Sequence, residues 1–296
     1  MSIEIKTWEW VVETPRGMGG IYPHIVAVPD NLLFLKRGAS ISWQVYDINK
    51  KKWEPMSDLP ESYDATGTLF DYDSYHKLIW YVPAGGSKML YSYSPANDAW
   101  RSYPPAPNTI GDGAVVLWGG EGNPDYVYVL RGSHGADFWR FSISSQKWEV
   151  MRTPPFLPST ECTGFRKGGR IYVCPNPTIG AIFEYDPSIG LWATKTYTSL
   201  YSPAFLVVDE QLVAFSEELV EIFDAGMAKK ALVVFGVPPA ELPRPRHPSL
   251  LPPPFPTTPT RQFDILGDYI YAVTGYGAEG SIFRLEKRLV LLVRIA

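Results

Sequence analysis

Among the side chains suited to acid–base or metal chemistry, the four histidines are His24, His76, His134 and His247, and they match no spacing that metal ligands use. A literal G-x-G-x-x-G stands at Gly275, Gly277 and Gly280. It follows a strand-like run at 269–273 but leads into a second one at 281–285. No helix N-terminus is therefore ready to hold a pyrophosphate, and these glycines read as turn residues. The strained G-x-S-x-G turn of a serine hydrolase is missing. A glycan-processing site requires several arginines converging on a substrate carboxylate, beside a Tyr/Glu pair and an Asp. Arg37, Arg131 and Arg261, with Asp64, Asp112, Glu161 and Tyr201, supply these types, with no motif to fix their geometry. Any chemistry here depends on whether the fold gathers residues that lie far apart in the chain.

The elements that would gather them repeat. Tyr46, Tyr93, Phe141 and Tyr185 are each followed seven positions later by a tryptophan, at Trp53, Trp100, Trp148 and Trp192. Phe223 and Phe283 continue the series, with aliphatic runs at 231–234 and 289–293 in place of the tryptophan. That makes six units. The second is the most complete: runs at 66–72, 78–82, 89–93 and 100–103 alternate or are apolar throughout. They are separated by Asp73-Ser74, Gly85-Gly86 and Pro95-Ala96-Asn97-Asp98. Four short strands in a unit near fifty residues, without helical periodicity, predict an all-β propeller. A four-stranded sheet cannot shelter both faces alone, so neighbouring blades must stack. The repeated aromatics supply the apolar area at those contacts, about 1.5 to 3 kcal/mol per fully buried side chain.

The apolar run at 78–82, Gly85-Gly86, Tyr93 and Trp100, with the aromatic/tryptophan pairs of three other units, resemble the kelch-repeat family over nearly the whole chain. The diglycine is intact at this position, between second and third strand-like runs, only in that unit. Elsewhere it is reduced to Gly38, to Gly132 with Gly135, or to Gly275 with Gly277, and units four and five lack it. The resemblance implies a six-bladed β-propeller of four-stranded blades. Its axis is lined by first strands such as 114–118 and 205–208. Some kelch proteins are copper oxidases with His and Tyr ligands and a Cys-linked Tyr, a chemistry for which Cys162 would be the relevant cysteine.

Residues 7–12, TWEWVV, resemble the fourth strands WEPM and WEVM, and Trp8 precedes Trp53 by one period. The N-terminal strand is therefore expected to close the ring by pairing in the last blade. The C-terminal run at 289–295 also reads as a strand, so that blade holds a fifth strand or a terminus pairs with another molecule. Residues 237–260, with ten prolines, cannot form a central strand. They form either a stiff crossover between blades five and six or an arm offering Arg244, Arg246, Leu250, Leu251 and Phe255 to a partner groove. Residues 1–296 are thus expected to be one domain.

A formal charge of -4, with basic and acidic residues spread along the chain, gives no footprint for nucleic acid. No apolar run reaches the length of a membrane helix. Glu4, Lys6 and Glu9 interrupt what would have to be the core of a secretory signal, so a cytoplasmic location is expected. Four glutamines and six asparagines against 28 prolines lean toward a thermophile. Cys162 and Cys174 flank a hairpin turn at 167–170, where two buried thiols are favoured over a cross-strand bond.

In a propeller the loops joining fourth to first strands and second to third strands emerge on one face. His24, Arg37, Asp64, Lys88, Asp112, Arg131, His134, Glu161 and Arg261 fall on or near that face and form the expected binding surface. No catalytic residue, metal or cofactor is assigned. The expected function is a non-catalytic scaffold presenting this face, with the proline-rich arm, to a protein partner. The alternative is a carbohydrate-binding or carbohydrate-processing protein, sialidase-like or sugar-oxidase-like, using the axial pocket.

Overall fold

The aromatic/tryptophan steps become direct cross-strand pairs. Tyr46 lies opposite Trp53, Tyr93 opposite Trp100, Phe141 opposite Trp148 and Tyr185 opposite Trp192. Their ring centroids are 5.0, 4.8, 5.2 and 5.1 Å apart. All four third-strand aromatics are buried. Each pair is thus the same packing unit used again, as the spacing requires. The computed structural model describes residues 11–12, 23–133, 135–176, 180–200, 203–208, 210–216, 219–234, 262–266, 269–274 and 281–286.

The architecture is an all-β propeller with four-stranded blades. After β1 (Val11–Val12), the first blade comprises β2 (His24–Val28), β3 (Leu32–Lys36), β4 (Trp43–Asp47) and β5 (Lys52–Pro55). The short β6 (Gly67–Thr68) precedes the second blade, formed by β7 (Phe70–Asp73), β8 (Leu78–Tyr81), β9 (Tyr91–Ser94) and β10 (Ala99–Ser102). The third runs through β11 (Ala114–Trp118), β12 (Tyr126–Leu130), β13 (Phe138–Ser142) and β14 (Lys147–Val150). The fourth contains β15 (Thr163–Lys167), β16 (Arg170–Cys174), β17 (Ala181–Asp186) and β18 (Leu191–Tyr197). The fifth contains β19 (Ala204–Val208), β20 (Gln211–Ser216), β21 (Leu219–Phe223) and β22 (Lys229–Val234). These five blades are built from strands consecutive in the chain. A further sheet is composite: β23 (Gln262–Leu266), β24 (Tyr269–Thr274) and β25 (Ser281–Glu286) are joined at the edge by β1. In it Val12 lies opposite Phe283 and Val11 opposite Arg284.

First strands adjoin one another around the axis. β7 packs beside β2 and β11, β15 beside β11 and β19, and β23 beside β19 and β2. Between blades the tryptophans do more than pack. The indole N–H of Trp100 donates to Ser57 O (3.0 Å), that of Trp148 to Pro104 O (2.8 Å) and that of Trp192 to Arg152 O (3.0 Å). Each acceptor lies in the connection leaving the preceding blade's outer strand. One side chain thus combines apolar burial with an inter-blade hydrogen bond.

Two local features depart from the sequence reading. The run at 66–72 is interrupted at the buried Leu69, and β6 leaves blade two to pair in parallel with Ala114 and Val115 of β11. Gly67 makes this approach possible: its φ is +115°, and a Cβ there would run into the Ala114 backbone. In blade five the position opposite Phe223 is taken by Lys229, across an irregularity in register. The hairpin at Lys167–Arg170 forms as expected, with positive φ at both Gly168 and Gly169. Cys162 and Cys174 are free, buried thiols. Cys174 lies opposite Thr163, so the adjacent Cys162 faces the other side of the blade, and the two join different core clusters. Among the described residues no helix is long and apolar enough to cross a membrane. The proline-rich stretch 237–260, the glycines at 275–280, the run at 289–295, Trp8 and Tyr201 lie outside the described residues.

Candidate functional site

Because first strands carry alternating side chains toward the axis, their inward residues enclose whatever space the wheel leaves. That space is a cavity of about 510 Å³. It draws its walls from β2, β6, β7, β11, β15, β19 and Asp264 of β23. Since all first strands run the same way, their starts share one end of the cavity, the loop face, and their ends share the other.

At the loop-face end stand His24, Thr66, Thr163 and Glu161. The His24 ring is buried, and its Nε2–H donates to Ala65 O at 3.1 Å. Burial pushes its pKa down to about 3, with the nearby Lys36 ammonium acting in the same direction and the Ala65 bond opposing, so the ring is neutral. Lys36, opposite His24 across the β2–β3 ladder, is fully buried and donates to the carbonyls of Gly38 and Tyr63. Burial lowers its pKa to about 8, and the Asp64 carboxylate pulls the other way. Thr66 donates to Thr160 O, and Thr68 Oγ1 both accepts from Gly164 N–H (3.0 Å) and donates to Gly164 O (3.2 Å). These bonds stitch β6 to blade four across the axis. Gly164 is required there, since a Cβ would meet Val115 Cγ1 at 2.5 Å. The Glu161 backbone N–H is held by Ser159 Oγ at 3.2 Å, while its Oε2 is buried with no hydrogen-bond partner.

The far end is closed by charge. Arg166 of β15 places Nε 3.0 Å from Asp71 Oδ2 and Nη2 3.3 Å from Asp71 Oδ1, and its guanidinium lies 5.1 Å from the Trp118 ring centroid. Asp71 Oδ2 also accepts the Trp118 N–H at 2.8 Å. The group thus ties blades two, three and four together. Nearby, Ser74 donates to Glu121 at 3.2 Å, and Asp264 accepts Ala27 N–H at 2.5 Å.

Of the residues expected to form the binding surface, His24 and Glu161 line the cavity. Asp64 is solvent-exposed; partial desolvation raises its pKa, Lys36 opposes this, and Asp112 adds to it, which places Lys36, Asp64 and Asp112 within one electrostatic neighbourhood. Arg131 is drawn into its own loop: Nε donates to Thr109 O at 2.8 Å and Nη1 pairs with Asp137 at 2.7 Å. Arg37 is half-buried beyond β3, and Lys88 is exposed between β8 and β9. His134 and Arg261 lie outside the described residues. The sequence reading passed over Lys36, Asp71, Arg166 and Asp264. A signal for two of them existed: Asp71 and Asp264 are charges set between apolar or aromatic neighbours on first strands, where alternation aims side chains at the axis. Among the described residues no three His, Cys, Asp or Glu side chains converge as a metal set.

Solved structures share this overall fold. The chain is similar in shape, at low sequence identity, to the following two. A protein of unknown function from Bacteroides thetaiotaomicron VPI-5482 superposes with a TM-score of 0.63 at 11% identity, over 95% of this chain and 76% of that one. The protein YjhT superposes with a TM-score of 0.59 at 12% identity, over 94% of this chain and 96% of that one. At these identities the likeness concerns the fold alone. No protein-family model matches the sequence, and no curated protein matches it.

Proposed function

We propose that the chain is a kelch-type propeller of six blades, closed by β1 on β25, and that it works as a non-catalytic scaffold presenting its loop face to a protein partner. The carrying observation is the distribution of exposed large apolar side chains. Ile41, Tyr63, Val150, Leu157 and Tyr197 occupy second-to-third-strand turns, fourth-to-first-strand connections or the ends of outer strands that lead into them. All of these belong to the loop face. Tyr75, Ile189 and Leu191 lie at the opposite turns. Val150 and Leu157 are 75% and 77% exposed, well beyond what packing within a blade would leave. Apolar side chains interspersed with charges such as Asp64 and Lys88 make the mixed surface that recognition uses. The surface is held stiff from beneath, since Lys36 and Arg131 bind loop carbonyls. Preorganised loops lose less entropy on docking.

The test is capture of a stoichiometric partner from the native organism by the immobilised protein. Tyr63→Asp combined with Leu157→Asp is expected to abolish capture, and Tyr75→Asp combined with Ile189→Asp to leave it unchanged. Capture that survives the first pair and fails with the second would place the working surface on the other face.

A further inference from the structure

Three blade junctions are fastened by the same side chain, and the next one is not. Between blades one and two, two and three, and three and four, an indole N–H reaches the residue two positions beyond the preceding outer strand. These are Ser57 after Pro55, Pro104 after Ser102 and Arg152 after Val150. Between blades four and five the equivalent cross-strand place, opposite Phe223, holds Lys229. The equivalent acceptor place, two positions beyond Tyr197, holds Ser199. Lys229 Nζ donates to Ser199 Oγ at 3.3 Å, so the contact keeps its position in the repeat while its chemistry changes.

The charge is balanced by Glu221 of β21, which is fully buried. Its carboxylate accepts from Lys229 Nζ, from Thr198 Oγ1 at 2.6 Å, from Ser199 N–H at 3.2 Å and from Ser199 Oγ. Thr198 and Ser199 lie in the connection leaving β18, so one acid on blade five holds the end of blade four. On β20 it is Ala214 that lies opposite Glu221, and Lys230, next along β22, pairs with Asp224 at 3.0 Å. Among the described residues the charge on Glu221 is thus met by the ammonium of Lys229, which is itself exposed.

The two ways of building the contact differ in strength. An indole keeps its apolar area whatever the ionic state around it. A buried carboxylate depends on every donor staying in place, and exchanging a buried ion pair for apolar groups is often neutral or stabilising. Burial pushes the Glu221 pKa up, but the donors on Lys229, Ser199 and Thr198 outweigh it, so the carboxyl titrates below its ordinary value. Its contribution is therefore present above the unfolded value and lost as pH falls through the folded one.

We infer that the ring opens locally at the junction of blades four and five, where an ionic latch, Glu221 with Lys229, replaces the tryptophan used at three other junctions. First strands β15 and β19 meet there, and Phe165, Phe205 and Val207 of the cavity wall belong to them. Opening thus lets solvent into the axial cavity from the side.

The two native thiols report on this junction and its neighbour. Cys174 lies in the core cluster shared by blades four and five, and Cys162 in the one shared by blades three and four. Both are buried, so each is modified only when its junction opens. The full chain is treated with 4,4′-dithiodipyridine, and modification at each cysteine is followed by peptide mass spectrometry. Cys174 is expected to react at least tenfold faster than Cys162. Global unfolding exposes both alike, so the ratio separates local opening from loss of fold. Lys229→Met should raise the Cys174 rate at least fivefold and the Cys162 rate less than twofold. Glu221→Met combined with Lys229→Met, which leaves no buried charge, should return Cys174 to the parent rate or below. Acidification from pH 6 to pH 4 should raise the Cys174 to Cys162 ratio at least twofold in the parent and leave it unchanged in the double variant. His24 also titrates in acid, but it lies in blade one and is present in both proteins. Equal rates at the two cysteines of the parent, or a double variant as reactive as Lys229→Met, would overturn the inference. So would an acid response that the double variant retains.

Discussion

Asp71 and Glu161 line one cavity, yet the first is held by a guanidinium and a backbone N–H, and the second has an oxygen with no donor. The difference follows from where each sits. Asp71 lies well inside the wheel, where β7, β11 and β15 converge and an unpaired charge could not persist. Glu161 stands in the connection leading into β15, where the loops emerge. Acids of similar chemistry thus stand at opposite ends, one fastening blades and one with a buried oxygen that no hydrogen bond satisfies. The neutral His24 and the carbonyl-bound Lys36 belong with the fastening groups, although they stand at the loop-face end.

This contrast can be broken most severely at the cavity wall. Gly67→Val places a branched side chain at φ +115° against the Ala114 backbone. It should lower unfolding stability by at least ~3 kcal/mol in denaturant titration, or prevent folding. Next, Asp71→Ala leaves Arg166 without its counter-ion and Trp118 N–H without its acceptor. A loss of about 2 kcal/mol is expected, because the pair is only partly buried.

A pH titration sharpens the assignment of His24. Its folded pKa of about 3 lies below the 6.5 of the unfolded chain. Between those values the unfolded state binds more protons, so stability is lost as pH falls through this window. By pH 5 the loss from this group is about 2 kcal/mol. His24→Gln keeps a donor for Ala65 and should flatten the acid limb relative to the parent. The smallest effect belongs to Glu161→Gln, which replaces a carboxylate whose Oε2 is buried without a hydrogen-bond partner. It should change stability by no more than about 0.5 kcal/mol, or raise it slightly.

Much of the fold was legible because packing acts through spacing. An aromatic and a tryptophan seven positions apart sit opposite each other in a tight hairpin, and four repeats of that step specify four equivalent blades. Trp118 and Phe205 were readable as axial for the same reason: they lie on apolar first strands. The departure of β6 toward β11 was hidden, since it depends on the backbone conformation of Gly67 and on space beside Ala114, and neither has a local pattern. The register of the composite sheet was also hidden. The tryptophan period singles out Trp8, whereas Val12 is the residue opposite Phe283. His24 and Glu161 were placed on the loop face by their positions in the repeat, and both line the cavity. Its position gave no sign that Arg131 binds Thr109 and Asp137, because a guanidinium near backbone carbonyls satisfies its donors locally. The Asp71–Arg166 pair is 95 residues apart in sequence, and only ring geometry brings it together.

The account rests most on the loop face being the working surface. Hydrogen exchange on the captured complex addresses this directly. The expected result is slowed exchange at 37–42, 61–66 and 150–161, with 74–77 and 187–191 unchanged from the free protein. Slowed exchange confined to 74–77 and 187–191 would contradict it.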